Sequence, residues 1–252
     1  MTYAAPRFEF LLRMGDSALV LAQRLSEWVG KGPVLEEDIA LANVGLDLIG
    51  QARMWLSYAG EVEGAGRDED ALAYHRDVHQ FRNALLCEQP NGNYADTTAR
   101  QFLYDHWHVL MLRALERSSD ERVAAVAAKA VKEVDYHVER STDWVIRLGD
   151  GTQVSHLRMQ AAIDALWPYA GELFAADAVD EAMAREGVAP DLASLSGPWR
   201  AAVSEALVEA TLAVPVDDWA HRGGRQGRHS EHLGHLLTEM QFLQRAYPGA
   251  SW

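Results

Sequence analysis

Apolar residues recur along this chain at alternating spacings of four and three, the signature of helices that bury one stripe; strand-like alternation is nearly absent. The strongest pattern lies in Leu35 to Gly60, where Leu35, Ile39, Ala42, Leu46, Ile49 and Leu56 trace one seam. A second apolar line runs through Leu41, Val44, Leu48, Trp55 and Ala59, and Asp47 is the only formal charge between Asp38 and Arg53. A helix apolar on two faces belongs between neighbours, so this segment is predicted to be the central helix of a bundle. Asn43, Asp47 and Gln51 fall near one line on it, either solvated on a narrow strip or held in an internal polar pocket.

Other helices follow from the same periodicity. Residues 9–29 read as a first helix with Met14, Ala18, Leu21, Leu25 and Trp28 on one face, ended by Gly30, Gly32 and Pro33. A helix is predicted over about 71–88, before the turn QPNGN at 89–93. Long helices are expected over 94–117 and from an N-cap at Asp120 to about Leu148. Residues 152–186 read as helical with an interruption at Pro168, and 192–209 as a helix with Pro198 near its start. TLAVPVDDW (211–219) is extended, 221–228 is a loop, and Ser230 is placed to cap a last helix ending before Pro248. No repeat, low-complexity tract or linker divides the chain. The expectation is one all-α domain: an up-down bundle over about 9–148 with a helical extension over about 152–252.

Composition narrows the function. A net charge of −14 on 252 residues repels phosphate backbones and anionic membranes, which argues against nucleic-acid or membrane partners. Cys87 is the only cysteine, so no internal disulfide or cysteine-rich metal site can form, and it reads as a small buried apolar residue. No apolar run approaches the ~20 residues that span a bilayer. The N-terminus lacks the basic-then-apolar pattern of a secretory signal, so a cytoplasmic location is expected.

Long helical bundles often hold two metal ions, using a Glu from each of two helices and a Glu-x-x-His from each of two others. No Glu in this chain has a His three residues later. The weaker pairs are Asp105…His108, whose side chains lie apart around one helix, and Asp218…His221, in a loop. The seam Val123, Ala127, Ala130, Val134, His137, Ser141, Trp144, Leu148 turns His137 inward, behind Val134. The seam Thr98, Phe102, Asp105, Val109, Leu112 turns Asp105 inward. Glu27 lies beside the first-helix stripe, and the central helix offers Leu48 and Gln51. The layout is that of a two-metal bundle with ligands missing.

Two basic or imidazole-rich features remain. His229, His232 and His235 recur every third residue, ahead of Glu239, but residues six apart on a helix diverge too far to share one ion, so they read as a surface or interface stripe. Arg222, Arg225 and Arg228 form a positive island among glycines just before a helix start, suited to an anion. That anion is either a ligand's phosphate, an acidic patch on a partner, or this protein's own acids. Phe102, Tyr104 and Trp107 read as core, with interface anchors the alternative.

Five stretches carry a specific resemblance: LSEWVGKGPVLEEDIALANVGLDLIGQAR, EQPNGNYADTTARQFLYD, KEVDYHVERSTDWVIRLGDGT, WPYAGELF and GRQGRHSEHLGHLLTEMQFLQRAYPGASW. They span nearly the whole chain. The chain resembles the C subunits of the bacterial multicomponent phenylacetyl-CoA oxygenases, the 1,2-epoxidases of aerobic phenylacetate breakdown. The resemblance implies a ferritin-like fold and a structural, non-catalytic subunit that pairs with a homologous di-iron catalytic A subunit. It further implies a small B subunit and a reductase with FAD and an iron–sulfur cluster as partners. No cofactor is expected on this chain, and a homodimer is a candidate state in isolation. Aligned on the catalytic subunits, Glu27 matches the first-helix Glu, Leu48 and Gln51 the first Glu-x-x-His, Asp105 the third-helix carboxylate, and Val134 and His137 the second Glu-x-x-His. Leu48 and Val134 cannot bind a metal and Gln51 is a poor iron ligand. Glu27, Asp105 and His137 are left either as a single-metal site or as a satisfied polar cluster. An independent metal-dependent oxygenase or storage bundle, and an acyl-CoA-binding protein using the arginine loop, are the competing functions.

Overall fold

The computed structural model describes residues 6–216 and 219–250. Among the described residues there are ten α-helices and no strand. In chain order they are α1 (Pro6–Ser26), α2 (Leu35–Glu63), α3 (Glu69–Tyr74), α4 (Leu85–Glu88), α5 (Tyr94–Leu115), α6 (Glu121–Gly149), α7 (Gln153–Ala170), α8 (Ala178–Arg185), α9 (Ala193–Glu209) and α10 (Glu231–Ala246). Three-residue or four-residue 3-10 turns lie at Val78–Gln80, Gly171–Phe174 and Gly224–Gln226. The helices gather into two compact units: residues up to Gln89 together with those from Gly223 onward, and residues 90–222.

In the first unit α1 is the buried axis. Every residue from Phe10 to Ala22 is buried, including Arg13, Asp16 and Ser17. It packs along α2 and touches α4 and α10. The sequence pattern assigned the sandwiched role to α2 instead, and this is corrected by exposure. On α2 the second apolar line is buried, from Leu41 and Val44 through Leu48 and Trp55 to Ala59. Most of the first seam faces solvent, with Leu35 70%, Ile39 52%, Leu46 64% and Ile49 38% exposed, while Ala42 is half-buried and Leu56 is buried. The spacing that marks a packing face is real, but no described residue of this chain covers it. The line Asn43, Asp47, Gln51 accordingly runs from solvent inward, ending at a fully buried Gln51.

The single helix predicted over 71–88 is broken. Asp68 caps α3 by accepting from the Ala71 amide at 2.8 Å, and the helix stops at Tyr74. Side chains then replace the backbone ladder. Asp16 of α1 accepts from Arg76 Nη1 at 2.9 Å and from the Arg82 amide at 2.8 Å, and it also pairs with Arg76 Nη2. Arg76 Nη1 donates onward to the Gln80 carbonyl at 3.1 Å, and the Ala84 amide donates to Ser17 Oγ at 3.1 Å. A regular helix would withdraw these backbone groups from their α1 partners.

In the second unit α5 and α6 run as predicted, α6 from the expected cap at Asp120 and α5 from a cap at Asn93. Asn93 accepts from the Ala95 amide at 2.8 Å, and Asp120 accepts from the Arg122 and Val123 amides at 3.0 and 3.2 Å. The predicted seam of α6 is buried from Val123 to Ser141, then passes to Val145 and Gly149, leaving Trp144 and Leu148 half-buried. α7 and α9 pack on this pair, and Trp199 Nε1 donates to the Leu103 carbonyl at 3.0 Å. At the end of α6, a Cβ on Gly149 would lie 2.4 Å from the Ala210 carbonyl, so only glycine allows the approach. The interruption expected at Pro168 falls later: α7 continues to Ala170 and then tightens into the 3-10 turn. No helix among the described residues is long and apolar enough to cross a membrane.

The Asp16–Arg76 pair yields a stability prediction. Both side chains are almost fully buried, so Asp16→Ala leaves an uncompensated guanidinium and is expected to cost about 3–5 kcal/mol. Urea unfolding of the variant against the parent chain measures it, and a loss under about 1 kcal/mol would show that Arg76 finds an equivalent partner.

Candidate functional site

The residues singled out from the sequence divide between the units. In the second, Asp105 on α5 and His137 on α6 are both about 1% exposed and close enough to interact electrostatically. Burial pushes the Asp105 carboxyl up to about 6, opposed by His137, the Ser141 hydroxyl, Arg140 and Arg100, which all favour its ionised form. Asp105 Oδ1 has no hydrogen-bond partner among the described residues. Burial also drives His108 down to about 3, with His137 nearby adding to the effect, and His106 down to about 4. Both are therefore neutral imidazoles near pH 7; His106 Nε2 lies 3.0 Å from Thr142 Oγ1. Val134 is buried on the same helix as His137 and presents no donor atom.

In the first unit Leu48 and Gln51 are fully buried on α2. Glu27 lies one residue past α1, partly exposed, and its Oε1 accepts from Arg24 Nη1 at 2.9 Å. Of the residues matched to metal ligands, Leu48 and Val134 carry no donor and Glu27 is engaged by a guanidinium. No group of three or more His, Cys, Asp or Glu side chains among the described residues is arranged to hold a metal ion. These residues do not fit a pair of irons. The Asp105…His108 pair does not converge with a second such pair, and Asp218 of the other pair lies outside the described residues.

The second site foreseen in the sequence is the arginine–glycine loop ahead of α10. Its glycines are needed for close contact: a Cβ on Gly224 would lie 2.5 Å from the Asn83 carbonyl, and Gly227, at φ +80°, would place one 2.2 Å from the His79 carbonyl. The loop is therefore pinned to the 79–85 segment. Arg225 is buried, while Arg222 and Arg228 are exposed. An anion does meet the start of α10, and it is the protein's own Glu88. Its carboxylate accepts from the Ser230 amide at 2.7 Å, from His229 Nδ1 at 2.7 Å and from Asn83 Nδ2 at 2.9 Å. The carboxylate at a helix N-terminus is the arrangement the dipole favours.

His229 is thereby removed from the surface stripe expected of it. It precedes the helix, its side chain is fully buried, and only His232 and His235 stand toward solvent on α10. His229 Nε2 lies 3.0 Å from the Phe81 carbonyl. Two acceptors on the two ring nitrogens require two N–H groups, so the ring is an imidazolium. Burial alone would lower its pKa, but Glu88, the Phe81 carbonyl and the more distant Asp16 outweigh burial and hold it above the ordinary 6.5. Arg24 completes the knot, donating to the Glu88 carbonyl at 2.7 Å and the His232 carbonyl at 3.2 Å. Sequence reasoning missed Glu88 and Arg24. The available signal was a lone Glu after the apolar Leu85–Cys87 and before a turn, a charge that needed an internal partner.

A ferritin-like all-α protein with a buried carboxylate–imidazole pair and too few metal ligands is the class these observations define. The chain belongs to the phenylacetic acid catabolic protein family, whose model matches residues 1–252. It is similar to the C subunit of the 1,2-phenylacetyl-CoA epoxidase of Escherichia coli (strain K12), at 54% identity over 243 residues, 96% of this chain and 98% of that protein.

Two titrations follow with opposite consequences at neutral pH. His229, raised above 6.5, contributes stability that is complete below that value and is lost as pH rises through its higher folded pKa. Asp105, raised from 3.8 to about 6, contributes stability that is complete below 3.8 and is gone above about 6. Asp105→Asn is therefore expected to stabilise the chain at pH 7 by ~2–3 kcal/mol and to flatten the fall between pH 4 and 6. His229→Gln is expected to destabilise below neutrality and to flatten the fall on the alkaline side. Guanidinium unfolding across this pH range checks both; unchanged slopes in either variant would refute its assignment.

Proposed function

We propose that this chain is the structural subunit of a phenylacetyl-CoA 1,2-epoxidase, which pairs with and positions a homologous di-iron catalytic subunit and performs no chemistry itself. The observation that carries the reading is the exposed seam of α2. Leu35, Ile39, Leu46 and Ile49 repeat at helix-packing spacing yet lie open, flanked by Ala42 and Gly50, whose small side chains allow another helix to approach closely. An aligned apolar stripe of this size on one helix is the mark of a partner surface. The relationship to the C subunit of an epoxidase supports the identity of the complex. Leu48 and Val134, without donor atoms, support iron residing in the partner. A small B subunit and a reductase with FAD and an iron–sulfur cluster complete the assembly and supply its electrons.

Co-expression with the catalytic subunit, followed by size-exclusion chromatography and iron analysis of the separated chains, tests the reading. The expected result is a stable complex with iron in the catalytic chain and none in this one; two irons per chain here would overturn it. Ile39→Glu and Leu46→Glu sit on exposed positions, so they are expected to leave the isolated chain's stability within about 0.5 kcal/mol. Each should weaken the complex ~30-fold or more, the effect of losing a central interface contact worth about 2 kcal/mol. A complex of unchanged affinity would place the interface elsewhere.

A further inference from the structure

We propose that α10 is a hinged flap: its first half, residues 231–238, is latched to α1 and α4 through the protonated ring of His229 and loosens when that ring loses its proton. The two halves of the helix are held by different means. The first half is joined through the Glu88 carboxylate, which accepts from the Ser230 amide and from His229 Nδ1, both at 2.7 Å. Arg24 of α1 adds a bond to the His232 carbonyl at 3.2 Å. The second half is joined by groups that do not titrate near neutrality. Gln241 Nε2 donates to the Ala73 and Arg76 carbonyls. Arg245 donates to the Tyr74 carbonyl at 3.3 Å, the Arg76 carbonyl at 2.8 Å and Asp77 Oδ1 at 3.0 Å. Loss of the His229 proton therefore acts on one end only.

The latch rests on hydrogen-bond counting. The side chains of His229 and Glu88 are fully buried, so neither can exchange a lost partner for water. A neutral imidazole keeps one N–H. If it stays on Nδ1, the Nε2 lone pair faces the Phe81 carbonyl oxygen at 3.0 Å; if it moves to Nε2, the Nδ1 lone pair faces a carboxylate at 2.7 Å. Either arrangement sets two acceptors against each other, and the ring must withdraw. The loop before it cannot follow, because Gly224 and Gly227 are pinned against the 79–85 segment. The displacement passes forward, to Ser230 and the first turns of α10. Of the charged groups on the elements packed around the ring, Glu88 of α4 and Asp16 of α1 favour its protonated form. The cations are engaged elsewhere: Arg24 with the Glu88 carbonyl, Arg76 with Asp16, and Arg82 with Glu9 and the His79 and Phe81 carbonyls. Arg225 and Arg228 lie in the loop itself, Glu231 in the first turn of α10, and His79 and His232 are the other imidazoles nearby. Leu233, Leu236 and Leu237 favour the closed flap at every pH, so the latch sets how often it opens.

Amide hydrogen exchange of the full chain between about pH 6 and pH 9, expressed as protection relative to the intrinsic rate at each pH, tests the inference. Opening releases the His229 proton, whose folded pKa lies above 6.5. The opening constant of residues 233–238 is therefore expected to rise by up to about tenfold per pH unit from 6.5 to the folded pKa, and to level off above it. Protection of residues 242–246, and of α5 and α6, is expected to stay constant. His229→Gln should give low protection at 233–238 that no longer depends on pH. Constant protection of 233–238 in the parent chain, or a pH dependence that survives in His229→Gln, overturns the latch. A parallel loss at 233–238 and 242–246 overturns the hinge. If His229→Gln does not fold, NMR titration of the His229 ring in the parent chain decides: a midpoint at or below 6.5 overturns the proposal.

Discussion

The first unit depends on closing a chain break with buried charge. Its helices α1 to α4 come from the beginning of the sequence and α10 from the end, so α10 must be captured across more than a hundred residues of intervening chain. Loop closure on that scale is costly, and α10 brings a modest apolar face, chiefly Leu233, Leu236 and Leu237. The Glu88 carboxylate supplies the specificity. It satisfies the first amide of the incoming helix, holds His229 as an imidazolium, and is itself tied down by Asn83, while Arg24 clamps the Glu88 and His232 carbonyls together. Farther along, Gln241 Nε2 donates to the carbonyls of Ala73 and Arg76 at 2.9 and 3.0 Å, so the broken 71–88 segment and α10 use each other's unsatisfied groups. A buried charge left without partners costs more than most core contacts contribute, so each member of this network enforces the placement of the others.

That network explains which parts of the fold were legible in the sequence. Helix type, most boundaries and the cap at Asp120 follow from local rules: period 3.6, short polar side chains before the first turn, glycine after the last. The failures are tertiary. Residues 71–88 carry helical periodicity, but Asp16 and Ser17, some sixty residues earlier, take the backbone and side-chain groups that a helix would need. The arginine–glycine loop was readable as an anion site because glycine amides and a helix start advertise one. Nothing local said that the anion was Glu88. The seam of α2 reads as a face packed inside the bundle, and in the structure Leu35, Ile39, Leu46 and Ile49 stand open to solvent. Apolar spacing says which residues share a face, not what lies against it.

The candidate metal residues show the same division between local and global information. The inward turn of Asp105 and His137 follows from their seams and holds in the structure. Their electrostatic state does not follow from spacing. Burial outweighs the groups that favour the charge of Asp105 (His137, Ser141, Arg140 and Arg100) and leaves its pKa at about 6. The four carboxylates of a two-iron site could not be kept there without the metal, since each further charge would add repulsion as well as desolvation. Leu48 and Val134 remove that requirement. A core in which apolar side chains stand at those positions carries none of that repulsion.

Exposure of the α2 seam completes that argument. The chain presents Leu35, Ile39, Leu46 and Ile49 to water, a face that favours association by the same hydrophobic term that folds the core. An exposed stripe of this kind is an aggregation liability in a protein meant to act alone. In the assembly proposed above the same stripe is the driving force for association. On the proposed reading the two interactions divide the work: buried charge positions α10 within this chain, and the apolar face of α2 is left for another one.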